Sequence, residues 1–255
     1  MAISRKRKGA KRQTGSSKAK ILGIRDRLTA EMAKPDPENG KPWRVQLNGS
    51  RLAYLRGDPD FLTLVKIGRV MNAIAFAVHG AVYGDPEGSV VGARQYRRSL
   101  YVAAGYVHEG IRLVQSIKGR YLTEPAFDAL RTMALGYDDK KARDYVRVIR
   151  NMTAFHLDEA DIVTREVLCK IPPGMYDLAG GDDRTVATFN FDFADRIDMA
   201  YLCEMFANGR EWPETAEDIV NTVIEFATRF LVACERFHAT LIDRTNINEH
   251  VFAMG

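Results

Sequence analysis

The stretch "IRNMTAFHLD" at residues 149–158 places Arg150, Asn151 and His156 within seven positions. These residue types suit metal-free cleavage of RNA. That reaction needs a base at the 2′-hydroxyl, an acid at the departing 5′-oxygen and a cation beside the crowded phosphate. Histidine serves as acid or base because it titrates near working pH. Arginine stays charged, and its planar fork donates two hydrogen bonds to phosphate.

On an ideal helix with Arg143 at zero, Arg147 falls at about 40° and Arg150 at about −20°, so the three form one ridge. Tyr145, Val148, Ile149, Met152 and Phe155 fall at about 120–240° and read as the buried face, with His156 among them at about 220° and Asn151 on the boundary at about 80°. Two accounts follow. In one, His156 is a core histidine bonded to a backbone carbonyl, and the arginine ridge is merely solvated. In the other, the residues meet at a phosphate. Arg150 and His156 lie about 120° and about 9 Å apart on one straight helix. They come together only if the helix unwinds near His156, or if two subunits pair their motif helices about a two-fold axis.

The surrounding elements must supply that geometry. "DPDFLTLVKIGRVMNAIAFAVHGAVYG" opens with Asp58 as a capping residue and Pro59 at the first helical position, and its apolar residues recur at helical spacing to residue 83. After "DPEGS" a longer helix is expected over 90–121, with Tyr96, Leu100, Ala103, Ala104, Val107, Ile111, Val114 and Ile117 as its stripe. The short connection predicts antiparallel packing of the two. A shorter helix at 123–135 is capped by Thr123. The motif helix follows at 139–157, and "DEADIV" has the look of a fresh start capped by Asp158. Residues 172–185 read as a loop, 186–193 as an alternating strand, "DFADRIDMAYLCEMF" as helix and 214–243 as a long amphipathic helix. The fold class is therefore mostly α: an antiparallel helical bundle over 58–245. "WRVQLNGSRLAYL" at 43–55 is a candidate for a short β-hairpin near the N-terminus.

Charge divides the chain differently. It has 255 residues and a net charge of +4, but residues 1–20 hold eight Lys or Arg and no acid. Removing those eight from 37 leaves 29 basic against 33 acidic residues, a balance of −4 for the remainder. Residues 1–20 therefore read as a disordered basic tail able to attract phosphate, or as a solubilising leader, and 21–57 as an N-terminal extension.

The composition, 46% hydrophobic and 27% charged, is that of a soluble globular chain, and no apolar run reaches the roughly 18–20 residues that span a bilayer. Residues 1–20 carry charge but no apolar stretch, so they are not expected to act as a secretory signal. Cys169, Cys203 and Cys234 are widely spaced and odd in number, so they read as buried small side chains in a reducing cytoplasm. His79, His238 and His250 have no partners at metal-ligand spacing, and no glycine-rich phosphate loop occurs, so neither metal nor cofactor is expected.

"RNMTAFH" resembles the signature of the HEPN superfamily, an arginine followed after four to six residues by a histidine, with a polar residue after the arginine. Two long helices, a shorter one and then the motif helix are similar to that family's arrangement. The resemblance covers about residues 58–170. It implies a bundle that dimerises through the 139–157 helix, and a metal-independent endoribonuclease of a toxin or phage-defence system. In that scheme Arg150 binds the phosphate, Asn151 orients it or the histidine, and His156 is the acid–base group. Some members bind RNA or a protein partner without catalysis. A transferase or other antitoxin acting on the chain is a further reading. Glu109 with neighbouring His108, Arg147 and Asp158 are supporting candidates. Arg94, Arg97 and Arg98, with Arg112, give the second helix a basic side that could track RNA.

Overall fold

The fold begins where the capping signal lies. In a computed structural model, which describes residues 53–83, 90–151, 178–179 and 190–245, Asp58 Oδ1 accepts the amide N–H groups of Asp60 at 2.7 Å and Phe61 at 3.1 Å. Pro59 then starts helix α1, Pro59–Tyr83. This is the cap that the sequence predicts: a side-chain oxygen meets amides that have no partner inside the helix. Every described residue belongs to the compact unit Val45–Gly255.

Five further helices follow among the described residues: α2 Val90–Ile117, α3 Pro125–Leu135, α4 Lys140–Ile149, α5 Asp192–Phe206 and α6 Trp212–Arg244. The expected end of α2 at residue 121 is corrected to Ile117. The cap of α3 is Glu124 rather than Thr123, with Pro125 at the first helical position. Of the strand expected over 186–193, residues 186–189 lie outside the described residues, and Asn190–Phe191 pair antiparallel with Leu178–Ala179 in the register Leu178↔Phe191 and Ala179↔Asn190. Asp192 already belongs to α5. Most of the hairpin expected at 43–55 lies outside the described residues, and Ala53–Gly57 is a 3-10 turn instead. The basic tail and most of the N-terminal extension also lie outside them. Between α5 and α6 the "NG" of "ANGREWP" turns the chain with positive φ at Asn208 (48°) and Gly209 (83°), a region that asparagine and glycine enter at least cost.

Helix α1 packs on α2 and α6, α3 and α4 rest on the same two helices, and α5 rests on α6. Ile67, Ile74, Ala77, Ala103, Ala104, Val107, Phe127, Leu130, Val146, Ile149, Val223, Phe226, Phe230 and Phe237 are fully buried. Each large apolar side chain so removed from water contributes about 1.5–3 kcal/mol. Tyr121, Phe127 and Phe237 pack with ring centroids 5.0–5.7 Å apart. Beside them Asp60 accepts from Tyr121 Oη at 2.7 Å, Arg120 Nε at 3.0 Å and Arg244 Nε at 2.9 Å. The start of α1 is thereby tied to the residues after α2 and to the end of α6. At the other end of α1, Gly80 faces Ser99 and Gln95 near the start of α2.

Over Pro59–Ala81 the mean hydropathy of α1 is 1.6, so by length and composition this helix is long and apolar enough to cross a membrane. That corrects the expectation that no run reaches such a length. Ile67, Ile74, Ala77 and Val78 of this helix are nevertheless buried in the core.

Candidate functional site

The motif helix α4 is docked at both ends. At its N-terminal end, Tyr145 Oη donates to Asp218 Oδ2 of α6 at 2.7 Å, Lys141 Nζ donates to Asp218 Oδ1 at 2.7 Å, and Arg229 of α6 donates to Asp139 at 2.6 Å. At its C-terminal end, Arg150 Nη2 donates to Glu109 Oε1 of α2 at 3.1 Å. Between these ends Ala142, Tyr145, Val146 and Ile149 are buried.

Among the described residues the buried face is shifted from the expected one: measured from Arg143, Ala142, Tyr145, Val146 and Ile149 span about 200–300°, while Met152 and Phe155 of the expected face lie outside the described residues. Val148, placed in the expected face, is only half-buried, and Val146 replaces it. The rotation separates the arginine ridge. Arg150 sits at the edge of the docked face and its side chain is 23% exposed, whereas Arg147 points outward at 61%. The three ridge arginines have three different partners: Arg143 donates to Met133 O at 3.2 Å, Arg147 to Asp144 at 3.2 Å and Arg150 to Glu109. At Arg150 and Asn151 the helix widens into a π-type turn. Such turns recur at functional sites.

Around Arg150 the geometry is specific. Its Nη1 donates to Asn151 Oδ1 at 3.1 Å, so the asparagine beside the arginine orients it. Glu109 is bracketed by two guanidiniums, Arg150 on Oε1 and Arg112 on Oε2 at 3.5 Å. A carboxylate in that position fixes how a guanidinium presents its remaining edge. His108, half-buried beside Glu109, is held below the ordinary histidine range, first by burial and then by the positive charge of Arg150; Glu109 opposes the shift, while Arg112 and Arg147 add to it.

Of the expected site residues, the structure brings Arg150, Asn151 and Glu109 together. Arg147 contributes only charge, since its hydrogen bond goes to Asp144. Arg97 is half-buried and Arg98 exposed on α2, with the Arg98 guanidinium 6.0 Å from the Tyr101 ring centroid. Arg94 lies in α2, but its side chain, like His156 and Asp158, is outside the described residues. Glu109, a supporting candidate, pairs among the described residues with the arginine of the motif. His108 was expected only as a neighbour of Glu109 and Arg112 only as part of a basic side; the contact of both with the surroundings of Glu109 follows from their spacing of four, which stacks them on one side of α2.

A groove of about 620 Å³ opens at the other end of α4, lined by Tyr137, Lys140, Lys141, Tyr145, Phe206 and Arg210 among others. Its cations are matched by acids: Lys140 by Asp144 at 2.7 Å, and Lys141 and Arg210 by Asp218 at 2.7 and 3.1 Å. Cys203 and Cys234 are buried, as expected, and burial pushes their thiols up to about 11 and about 12. Among the described residues no group of three or more His, Cys, Asp or Glu side chains converges as metal ligands would.

Comparison of the chain with protein-family models, with curated proteins and with solved structures returns no match.

Proposed function

We propose that the chain is a metal-independent endoribonuclease of the HEPN type, acting in the cytoplasm within a toxin or phage-defence system. The single observation that carries this reading is the Glu109–Arg150 ion pair at 3.1 Å, supported by Asn151. It orients the motif arginine at a widened turn of α4, at the end of a buried helix face. Arg150 then receives the scissile phosphate and His156 transfers the proton. The bundle is read as antiparallel, in keeping with the Asp60 and Gly80 contacts at opposite ends of α1 and α2. Two copies pair through the 139–157 helix, so that two arginines and two histidines surround one phosphate. The stripe bearing Arg94, Arg98 and Arg112 runs about 27 Å along α2 and provides an approach for the RNA backbone. An antitoxin or similar regulatory protein restrains the activity.

The test is incubation of the purified protein with total RNA in EDTA, beside Arg150→Ala and His156→Ala. Removing a preorganised cation at the phosphate is expected to lower cleavage about 10²–10³-fold, and removing the proton-transfer group about 10²–10⁴-fold. Uncut RNA in the wild-type lane at every protein concentration overturns the reading.

A second reading rests on the same ion pair. Glu109 neutralises Arg150 and repels phosphate, as suits a non-catalytic module that binds RNA or a protein partner. It predicts retarded but uncleaved RNA, with binding unaffected by His156→Ala.

A further inference from the structure

We infer that His108 is a catalytic residue of this site, the acceptor of the 2′-hydroxyl proton; the inference rests on the ribonuclease reading and adds to it a group on a different helix. Three observations converge on it. His108, Glu109 and Arg112 share one side of α2, about 40–100° apart around the axis and within about 6 Å of rise. Arg150 crosses from α4 and docks on the middle member of that trio at 3.1 Å, which brings the motif guanidinium over the same patch. His108 itself is half-buried, neither sealed in the core nor fully solvated, as suits a proton-transfer group that must meet a substrate.

Burial and the surrounding charges decide which role it takes. Arg150 and Arg147 act on it from α4, Arg112 and Glu109 from α2. Burial first, and then three guanidiniums against one carboxylate, favour the neutral ring. A neutral imidazole beside a phosphate-binding arginine accepts a proton and is poorly suited to donate one. In the step itself, the ring nitrogen of His108 takes the proton of the 2′-hydroxyl. The 2′-oxygen forms a bond to phosphorus as the bond from phosphorus to O5′ breaks. The departing O5′ takes its proton from the acid of the ribonuclease reading, leaving a 2′,3′-cyclic phosphate and a 5′-hydroxyl. Solvent then removes the proton from His108. Arg150 and Arg112 face the anionic oxygens throughout, and Glu109 holds both guanidiniums in place.

The experiment is the pH dependence of cleavage of a short single-stranded RNA in EDTA, comparing wild type, His108→Gln and His108→Ala. Wild type is expected to lose kcat/KM on the acid side, with the limb displaced below the ordinary histidine range, as a base becomes protonated. His108→Gln is expected to fall about 10²–10⁴-fold and to lose that acidic limb. Added imidazole is expected to restore part of the rate of His108→Ala, an effect that a purely structural role would not show. Cleavage by His108→Gln within two-fold of wild type, with the acidic limb intact, overturns the inference and leaves the ribonuclease reading standing. Wild type that leaves the RNA uncut overturns both.

Discussion

Gly110 adjoins Glu109 and sits where three helices meet, so it tests whether helix packing sets the site. A Cβ built on Gly110 of α2 lies 2.7 and 2.9 Å from Cε1 and Cζ of Phe230 in α6, and 3.0 Å from Cγ1 of Val70 in α1. Unstrained carbon–carbon contacts lie at about 3.5–4.0 Å. Phe230 is fully buried, so its ring has little room to retreat. Overpacking of this kind costs about 1–3 kcal/mol. Replacing glycine by alanine within a helix returns roughly 1 kcal/mol. Gly110→Ala is therefore expected to destabilise the fold by up to about 2 kcal/mol net, lowering Tm by up to about 8 °C for a unit of this size. Urea denaturation should show a lower midpoint at unchanged slope. Phe230→Leu should relieve the clash, so the double variant should lose less stability than the two single losses combined, by about 1 kcal/mol. In Gly110→Ala alone α2 must shift against α6, carrying Glu109 with it and weakening its hold on Arg150. A midpoint above wild type for Gly110→Ala, or a double variant additive to within about 0.5 kcal/mol, refutes the reasoning.

Asp60→Asn removes a charged acceptor from Tyr121, Arg120 and Arg244 and turns an amide N–H₂ toward a cation; the arginines are about two-fifths exposed, so the expected loss is limited to about 1–3 kcal/mol, read as a shift in the urea midpoint. His238 is pushed down by burial alone, and His108 by burial and the neighbouring arginines. Both therefore take up protons more readily when unfolded, near pH 6.5, so their contribution to stability is present above that value and is lost as pH falls below it. Midpoints measured between pH 7.5 and 5.5 should decline, and less steeply in His238→Gln; a rise on acidification would contradict the burial of these rings.

Much of the scaffold was legible because its determinants are local. Asp58 and Pro59 mark the start of α1 through chemistry confined to one turn, and the apolar stripe of α2 repeats every three or four residues whatever surrounds it. The ends of helices were less legible. Ile117 ends α2 four residues before the expected position, and the chain then turns so that Arg120 and Tyr121 meet Asp60, an attraction across 60 residues that periodicity cannot register. The alternation in 186–193 resembled a strand; Asn190–Phe191 do pair, but Asp192 already opens a helix, so the alternation did not mark where the strand ends.

The sequence alone determined that a helix would carry Arg143, Arg147 and Arg150 as one ridge, since a 3.6-residue period fixes angles within an element. Which of the three would meet a carboxylate of another helix was decided by tertiary structure. α4 is docked through Ala142, Tyr145, Val146 and Ile149, and that face turns Arg150 toward Glu109 while leaving Arg147 outside. A helix carries its own angular order but no information about its rotation against a neighbour; that rotation follows from side-chain packing between segments 41 residues apart in the chain.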